Sequence, residues 1–528
     1  VGLPEKRYAS ACRALKEVFG YDAPREFQAR VLKATFEGRD VFAVAPTGGG
    51  KSMVYTLPAL VLPGVVIVVS PLLALMKDQQ EALAKRNIRA ARITSDAPGS
   101  QVAAALRDPT AFEIIFVSPE KLATKEFLNA FRGVPVSLIA LDEAHVLAKW
   151  GKDFRPAYGR MKAFLDAHDE ALRIACTATA DEEVDLQVNR LFTLRNPVRV
   201  IGSPWRDNIR WVIKRNAVED DLIDLVRGYQ QETGSQVIYC SSRKATEHIA
   251  TELKNHLVDA THYHAGMDPS LRQTTQERFM KGNVRCVVAT SAFGMGVDKP
   301  DIRLVAYWQT PSSLFDLVQG VGRGSRDGKP AVGWVNVGSA AERTQTFLLK
   351  MSNPGIKVYQ RLWSQFAKHH EPMRWGRSTL VRCGGIGPEA FEGQLDSALS
   401  FLEFNGGIST SPAGTIYRLP LKDAGKARAI AKHYGARIDG GVMVYEVGLD
   451  EQDRINALVN TGAVTYTAPD DLIVVRRLTN ECPVTEEMVD TKMQRAEDAL
   501  EAIREFCWAS DKKAFVEAYF SRAEGACT

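Results

Sequence analysis

The sequence predicts an α/β fold in which two parallel-sheet domains stand in tandem, followed by an α+β region and a helical C-terminal segment. Three observations carry that reading. From about residue 38 to 200, short β-branched runs alternate with longer helical stretches; a second series of the same kind begins near residue 205; and after about residue 342 the alternation stops. Strand, crossover helix, strand is the pattern of a parallel sheet covered on both faces.

In the first series the strands are Asp40 to Ala45, Val65 to Ser70, Ile114 to Ser118, Val136 to Asp142 and Arg173 to Thr177. In the second they are Gln236 to Cys240, Ala260 to His264, Arg285 to Thr290 and Leu304 to Trp308. Ligands of open α/β sheets bind at the carboxyl ends of the strands. Two like-built domains, residues 1–203 and 204–342, therefore imply a cleft between them. Beyond them, Gln394 to Phe404 reads as an amphipathic helix with Leu395, Leu399 and Leu402 on one face. A hairpin candidate follows, Gly407 to Leu419, with a Ser-Pro-Ala-Gly turn. Helix then hairpin is the closing half of a winged helix, so residues 343–480 are expected to be winged-helix-like, although a generic α+β core would read the same. Asp490 to Phe520 is helical again, within a tail taken as 481–528.

Bulk properties exclude more than they assign. At 528 residues the chain exceeds a single core. With 45% hydrophobic and 25% charged residues its composition is ordinary. No apolar run approaches the roughly 18 residues of a membrane helix, so no membrane partner is expected. A net charge of +4 is too small to argue for nucleic acid by itself, and any such contact must come from local basic surface. The eight cysteines contain no C-x-x-C pair, and no secretory leader is legible. Reduced thiols and a cytoplasmic location are the expectation.

The chemistry starts at Ala45-Pro46-Thr47-Gly48-Gly49-Gly50-Lys51-Ser52, which follows the first strand and opens a helix. The glycines let backbone N–H groups curl around phosphate oxygens, Lys51 reaches the β- and γ-phosphates, and Ser52 holds Mg²⁺. Thr47, Gly48, Gly49 and Gly50 complete the predicted cradle. The general pattern asks for glycine where Ala45 stands, so this loop alone is not decisive. Val136 to Leu141 then delivers Asp142-Glu143-Ala144-His145 at a strand end. Asp142 is placed to bind Mg²⁺, and Glu143 to orient and polarise the attacking water. A pair of solvated acids would explain neither the apolar strand behind them nor the lysine upstream. Hydrolysis also needs positive charge on the developing γ-phosphate. Gln319-Gly-Val-Gly-Arg323-Gly-Ser-Arg326-Asp-Gly supplies two arginines three residues apart, and Arg326, which closes the motif, is the favoured finger.

At these residues the chain resembles the RecQ group of DEAH-type DNA helicases, over roughly residues 15 to 335. The resemblance implies two RecA-like domains using ATP and Mg²⁺, with single-stranded and duplex DNA as partners, movement 3′ to 5′, and work in DNA repair or recombination. Phe19-Gly-Tyr21 with Arg25 and Gln28 resembles that group's adenine-recognition segment, Gln28 reading the base edge and Tyr21 or Arg25 stacking on its face. Ser70-Pro-Leu-Leu-Ala-Leu-Met-Lys-Asp-Gln79, Cys176-Thr-Ala-Thr-Ala180 and Thr290-Ser-Ala-Phe-Gly-Met-Gly296-Val-Asp298 resemble segments that hold the strand and couple the domains. Trp150-Gly-Lys-Asp-Phe154-Arg155-Pro156-Ala-Tyr158 resembles the group's aromatic loop. Its aromatics also fall at helical spacing, as a core face would, but Gly151 and Pro156 oppose a continuous helix. Trp150, Phe154 and Arg155 are therefore the candidate nucleic-acid contacts, where stacking is worth about 1–3 kcal/mol per base.

The sequence departs from the group's pattern in two places. A four-cysteine zinc module usually follows the arginine motif; here only Cys507 and Cys527, near the end, resemble part of one. Four ligands are needed for structural zinc, so these are free thiols or a zinc module cut short. Gly324-Ser325 also stands where Ala-Gly is commoner, a small-for-small change expected to be silent. Two other activities share this engine: an RNA helicase, and a nucleotide-gated nucleic-acid clamp that does not unwind processively.

Overall fold

The structure, a computed structural model, describes residues 2–46, 48–122, 124–145, 155–178, 182–230, 234–293, 299–369, 371–386, 391–420, 422, 425–428, 431, 436–439, 442–447 and 470–521. Its first sheet comprises β1 (Val41–Val44), β2 (Val65–Val69), β3 (Ala90–Ile93), β4 (Ile114–Val117), β5 (Val136–Leu141), β6 (Leu172–Thr177) and β7 (Val198–Ile201). The order is β3-β4-β2-β5-β6-β1-β7, parallel throughout. Every residue of β1, β2 and β4 is buried, as the unbroken Val/Ile/Phe/Ala runs require when helices cover both faces. Sequence periodicity missed β3 and β7. Both are short edge strands carrying an arginine, and each arginine is neutralised in place: Arg92 by Asp96 at 2.9 Å, Arg199 by Asp185.

The second sheet comprises β8 (Ile209–Arg215), β9 (Ser235–Tyr239), β10 (Ala260–Tyr263), β11 (Cys286–Ala289), β12 (Ile302–Tyr307) and β13 (Ala331–Val337), in the order β10-β11-β9-β12-β13-β8. It too is parallel. β8 escapes a periodicity reading because it is a half-exposed edge, Ile-Arg-Trp-Val-Ile-Lys-Arg. At Gly333 of β13 a Cβ would meet Val321 Cγ1 at 2.5 Å, so glycine is what lets the helix Leu314–Val321 sit close against this strand. Both sheets present the carboxyl ends of their strands to the loops that carry the predicted motifs. Val1–Phe347 and Ala496–Thr528 form one compact unit, and Leu348–Arg495 a second.

The second unit runs helix Ile356–Phe366, β14 (Met373–Gly376), helix Arg377–Gly384, helix Phe391–Phe404, β15 (Ile408–Pro420), β16 (Arg437–Asp439), β17 (Val442–Val447), β18 (Asp470–Arg477). Its antiparallel sheet has the order β14-β18-β15-β17-β16. Helix, strand, two helices and two further strands with β18 between β14 and β15 is winged-helix topology, extended here by β16 and β17. Leu395, Leu399 and Leu402 are buried together with Tyr359, Trp363 and Leu380, as the predicted helix face requires. The expected hairpin, however, is absent. Gly407 to Leu419 falls almost wholly in the single strand β15, whose register shifts between Pro412 and Gly414. β17 pairs only from Thr415 onward, so Pro412, which has no N–H to give, faces β18 alone. A turn-forming tetrapeptide is absorbed as a bulge. The tail helix Glu486–Trp508 spans the division at 495/496 rather than beginning a separate segment at 481.

Candidate nucleotide-hydrolysis site

The phosphate loop between β1 and the helix Met53–Ala59 is shaped by its glycines. Gly48 and Gly50 take φ of 80° and 78°, which only glycine adopts without strain. A Cβ on Gly50 would lie 2.4 Å from Gln28 Nε2, and one on Gly49 2.8 Å from the Pro46 carbonyl oxygen. Lys51 Nζ donates to the Ala45 carbonyl at 3.1 Å, which holds the ammonium inside the loop, with Ser52 next at the helix N-cap. Thr47 lies outside the described residues.

The adenine segment is wired to this loop. Gln28, 5% exposed, accepts the Arg25 N–H at 2.9 Å and donates to the Gly50 carbonyl at 3.0 Å. One amide hydrogen and one lone pair are left for a base edge. The Arg25 guanidinium donates to the Gly48 carbonyl at 2.7 Å, so it braces the loop, whereas Tyr21 is 59% exposed.

β5 delivers Asp142 and Glu143 to the same loop. Glu143 has φ of 51°, a left-handed conformation that costs a residue with a Cβ on the order of 1–2 kcal/mol. Asp142 is buried; its Oδ1 accepts the Glu143 N–H at 3.0 Å and its Oδ2 the Tyr55 hydroxyl at 3.1 Å. That hydroxyl is shared with Gln79 Oε1 at 3.2 Å, which links the Ser70-to-Gln79 segment to the acid. Burial, then the charge of Glu143, push the Asp142 carboxyl up to about 6 against the pull of Lys51. Burial also pushes Glu143 up, but Lys51, His145 and Arg323 outweigh it and bring its carboxyl down to about 2. Environments that drive two neighbouring acids apart in this way assign them different roles. Glu143 Oε2 lies 3.3 Å from His145 Nδ1 and is otherwise without a hydrogen-bond donor among the described residues.

His145 joins the two domains. Its Nδ1 is 3.2 Å from Thr177 Oγ1, and Gln319 Nε2 approaches its Nε2 at 3.3 Å. Nδ1 thus faces Thr177 and Glu143, and Nε2 faces the Gln319 amide, so a proton on Nδ1 would point at the acid. The Phe315 ring, on the same helix as Gln319, stands 5.4 Å from the imidazole.

The arginine turn follows that helix. Arg323 lies in the field of Glu143 and hydrogen-bonds the buried Tyr239, whose hydroxyl donates to the Phe293 carbonyl at 2.9 Å. Arg326 lies instead beside Arg206, whose guanidinium its charge, after burial, destabilises. Arg323 is thus an arginine of this turn whose charge reaches Glu143, and Arg326, which also acts on Tyr239, stays beside it as a candidate finger. Ser325 corrects an expectation. It has φ of 48° and is fully buried, so serine for glycine is not silent. Its carbonyl accepts from Arg206 at 2.6 Å and Asn208 at 3.2 Å, its Oγ lies 3.0 Å from Asn208 Nδ2 and 3.2 Å from Asp327 Oδ1, and it donates to the Lys329 carbonyl. Arg303 hydrogen-bonds Asp327 and holds its carboxyl down to about 2.

Trp150 and Phe154 lie outside the described residues; Arg155 begins the helix Arg155–Ala167. Cys507 is 9% exposed, and burial pushes its thiol up to about 11. Cys527 is outside the described residues, and among those described Cys507 belongs to no cluster of three or more possible metal ligands. The residues missed in the sequence are Tyr55, Tyr239, Arg206 and Asn208. A lone tyrosine in an apolar element carries no signal that separates it from core.

Comparison with known proteins agrees with this geometry. Residues 25–186 match the DEAD/DEAH box helicase family and residues 217–328 the helicase conserved C-terminal domain. The ATP-dependent DNA helicase RecQ of Pasteurella multocida is 38% identical over 326 residues, covering 61% of this chain and 51% of that protein. The chain thus spans about half the length of that relative. By structure, Mycobacterium smegmatis helicase Lhr bound to ssDNA and AMP-PNP superposes with a TM-score of 0.51 at 21% identity, over 75% of this chain and 58% of that one. Saccharomyces cerevisiae Dbp5 bound to RNA and ADP BeF3 gives 0.52 at 18% identity, over 65% and 90%. These two likenesses establish the fold. Among the described residues no helix is long and apolar enough to cross a membrane.

Proposed function

We propose that this chain, RecQ-like across its DEAD/DEAH-box and C-terminal helicase domains, is a cytoplasmic ATP-dependent helicase that moves 3′ to 5′ on single-stranded DNA and separates duplexes in repair or recombination. The observation that carries the reading is convergence: Lys51, Asp142 and Glu143 of the first domain and Arg323 of the second act on one another's charge. The glycine cradle, closed to any Cβ at Gly49 and Gly50, fits phosphates. Ser52 and Asp142 would hold Mg²⁺, which supplies charge neutralisation on the phosphates and keeps Asp142 ionised.

Each residue of the chain then has one task. Lys51 balances phosphate charge, and Glu143, ionised and partly unpaired, accepts a hydrogen bond from water and aligns it for in-line attack. Arg323, anchored by Tyr239, offsets charge as the γ-phosphoryl departs. Gln319 and His145 link that arginine's helix to Glu143, so hydrolysis competence depends on the domains being together. Trp150, Phe154 and Arg155 contact the strand. The fold does not select the sugar, and the RecQ relationship favours DNA.

ATP-dependent displacement of a labelled strand tests this directly, using 3′-tailed DNA, 5′-tailed DNA and RNA duplexes. The 3′-tailed DNA is expected to be unwound and the others not. ATP turnover without displacement would replace the helicase by a nucleotide-gated clamp, and preference for RNA would replace the substrate.

A further inference from the structure

The C-terminal helix Lys512–Ser521 lies outside both family matches, yet it reaches the hydrolysis site. Ser203 Oγ donates to its Glu517 at 2.8 Å, and its Lys513 donates to Asp207 at 2.9 Å. Ser203 and Asp207 lie on the segment joining β7 to β8, the connection between the two helicase domains. The end of the tail helix Glu486–Trp508 fixes the approach. Phe506 packs edge-on to Trp211 at 4.9 Å, and the Arg215 guanidinium lies 3.4 Å from the centre of the Trp508 ring.

Three residues from the end of the described chain's last contact with that segment comes Phe520, 2% exposed, its ring 6.5 Å from that of Phe315. Phe315 is fully buried and stands 5.4 Å from His145. Phe315 and Gln319 are one helical turn apart on the same face, so both groups that meet His145 from the second domain ride on one helix. The aromatic spacings are those of paired rings.

We infer that Phe520 is a positioning residue for ATP hydrolysis: by seating Phe315 it sets His145, and through His145 the water-directing Glu143. This rests on the function proposed above. The physical ground is close packing. A buried ring that loses its neighbour moves into the space left behind, and Phe315 is paired with His145 as well as with Phe520. The relay ends on Glu143, 3.3 Å from His145, which directs water, so it acts on turnover and not on nucleotide binding. The C-terminal tail, which the sequence reads only as a helical appendage, thereby becomes part of the motor's chemistry.

Steady-state ATPase of the full chain, with and without single-stranded DNA, tests the relay. Phe520→Ala is expected to lower kcat about tenfold with KM for ATP within about twofold, the pattern of lost transition-state geometry. Phe520→Leu, which keeps much of the volume and is the safer variant to fold, should lower kcat about threefold at unchanged KM. The Phe315→Ala, Phe520→Ala double variant should be no slower than Phe315→Ala alone, because both act through one contact. Thermal melting is recorded on each. Wild-type kcat per folded molecule in both Phe520 variants, or fully additive losses in the double variant, would overturn the relay. Wild-type chain that does not turn over ATP would overturn the proposed function itself, a separate result read before any variant.

Discussion

Seven of the described non-glycine residues take positive φ, and the two that flank the hydrolysis site, Glu143 and Ser325, use it differently. At the end of β5, Glu143 takes φ of 51°, and at the arginine turn Ser325 takes φ of 48°. Glu143 is itself the chemical group: its strained backbone aims a carboxylate whose Oε2, among the described residues, is approached by His145 alone, at 3.3 Å. Ser325 has no chemistry of its own, and its backbone and hydroxyl are tied to Arg206, Asn208, Asp327 and Lys329. Strain at the first turn leaves an acid under-satisfied and reactive; at the second it is offset by hydrogen bonds that fix where Arg323 and Arg326 point. One turn presents a group, and the other aims its neighbours.

The largest expected effect breaks the second turn's output. Arg323→Ala should cut ATP hydrolysis by roughly 10³-fold with nucleotide affinity little changed, if it supplies the charge on the γ-phosphate. Arg326→Ala should cost less if Arg326 keeps its place beside Arg206 while Arg323 acts on Glu143. Single-turnover rates with saturating ATP separate the two. Equal losses would show that domain closure moves Arg326 to the phosphate and that the seat seen for Arg323 is not the catalytic one.

Removing the acid at the first turn comes next. Glu143→Gln should still bind ATP but turn over at least about 100-fold more slowly, because water alignment and not binding is lost. Fluorescent-nucleotide binding beside turnover checks it. Comparable loss of affinity would move Glu143 from water positioning to nucleotide binding, and the contrast between the turns would collapse.

How much of this was legible follows from where the information lies along the chain. The cradle from Gly48 to Ser52 and the acids at 142–143 are contiguous and sit at strand ends, so spacing alone points to them. Most of the buried strands were legible for the same reason, being apolar runs, but β13, broken by Gly333 and Asn336, was not. What sequence could not give is pairing at a distance. Gln319 meets His145 across 174 residues, and Phe520 meets Phe315 from a tail whose composition says only helix. The edge strands β3, β7 and β8 were hidden by their arginines, which read as loop until their partners are known. The hairpin failed because a Ser-Pro-Ala-Gly signal is as good a bulge as a turn when a partner strand arrives much later in the sequence. Ser325 was judged by size, whereas its position is decided by backbone sign.

The smallest effect isolates that last point. Ser325→Ala removes the hydroxyl and keeps the Cβ; Ser325→Gly removes both. Each therefore loses the hydroxyl's bonds to Asn208, Asp327 and Lys329 alike. What differs is the Cβ at φ of 48°, which glycine escapes. Glycine also gains entropy in the unfolded chain, which trims its advantage by part of the strain. The alanine variant should therefore be the less stable of the two by about 1 kcal/mol, read as a shift in denaturant midpoint at unchanged slope. If alanine matched or exceeded glycine, the left-handed backbone at Ser325 would carry no strain. The hydrogen bonds around it would then be ordinary packing, not compensation.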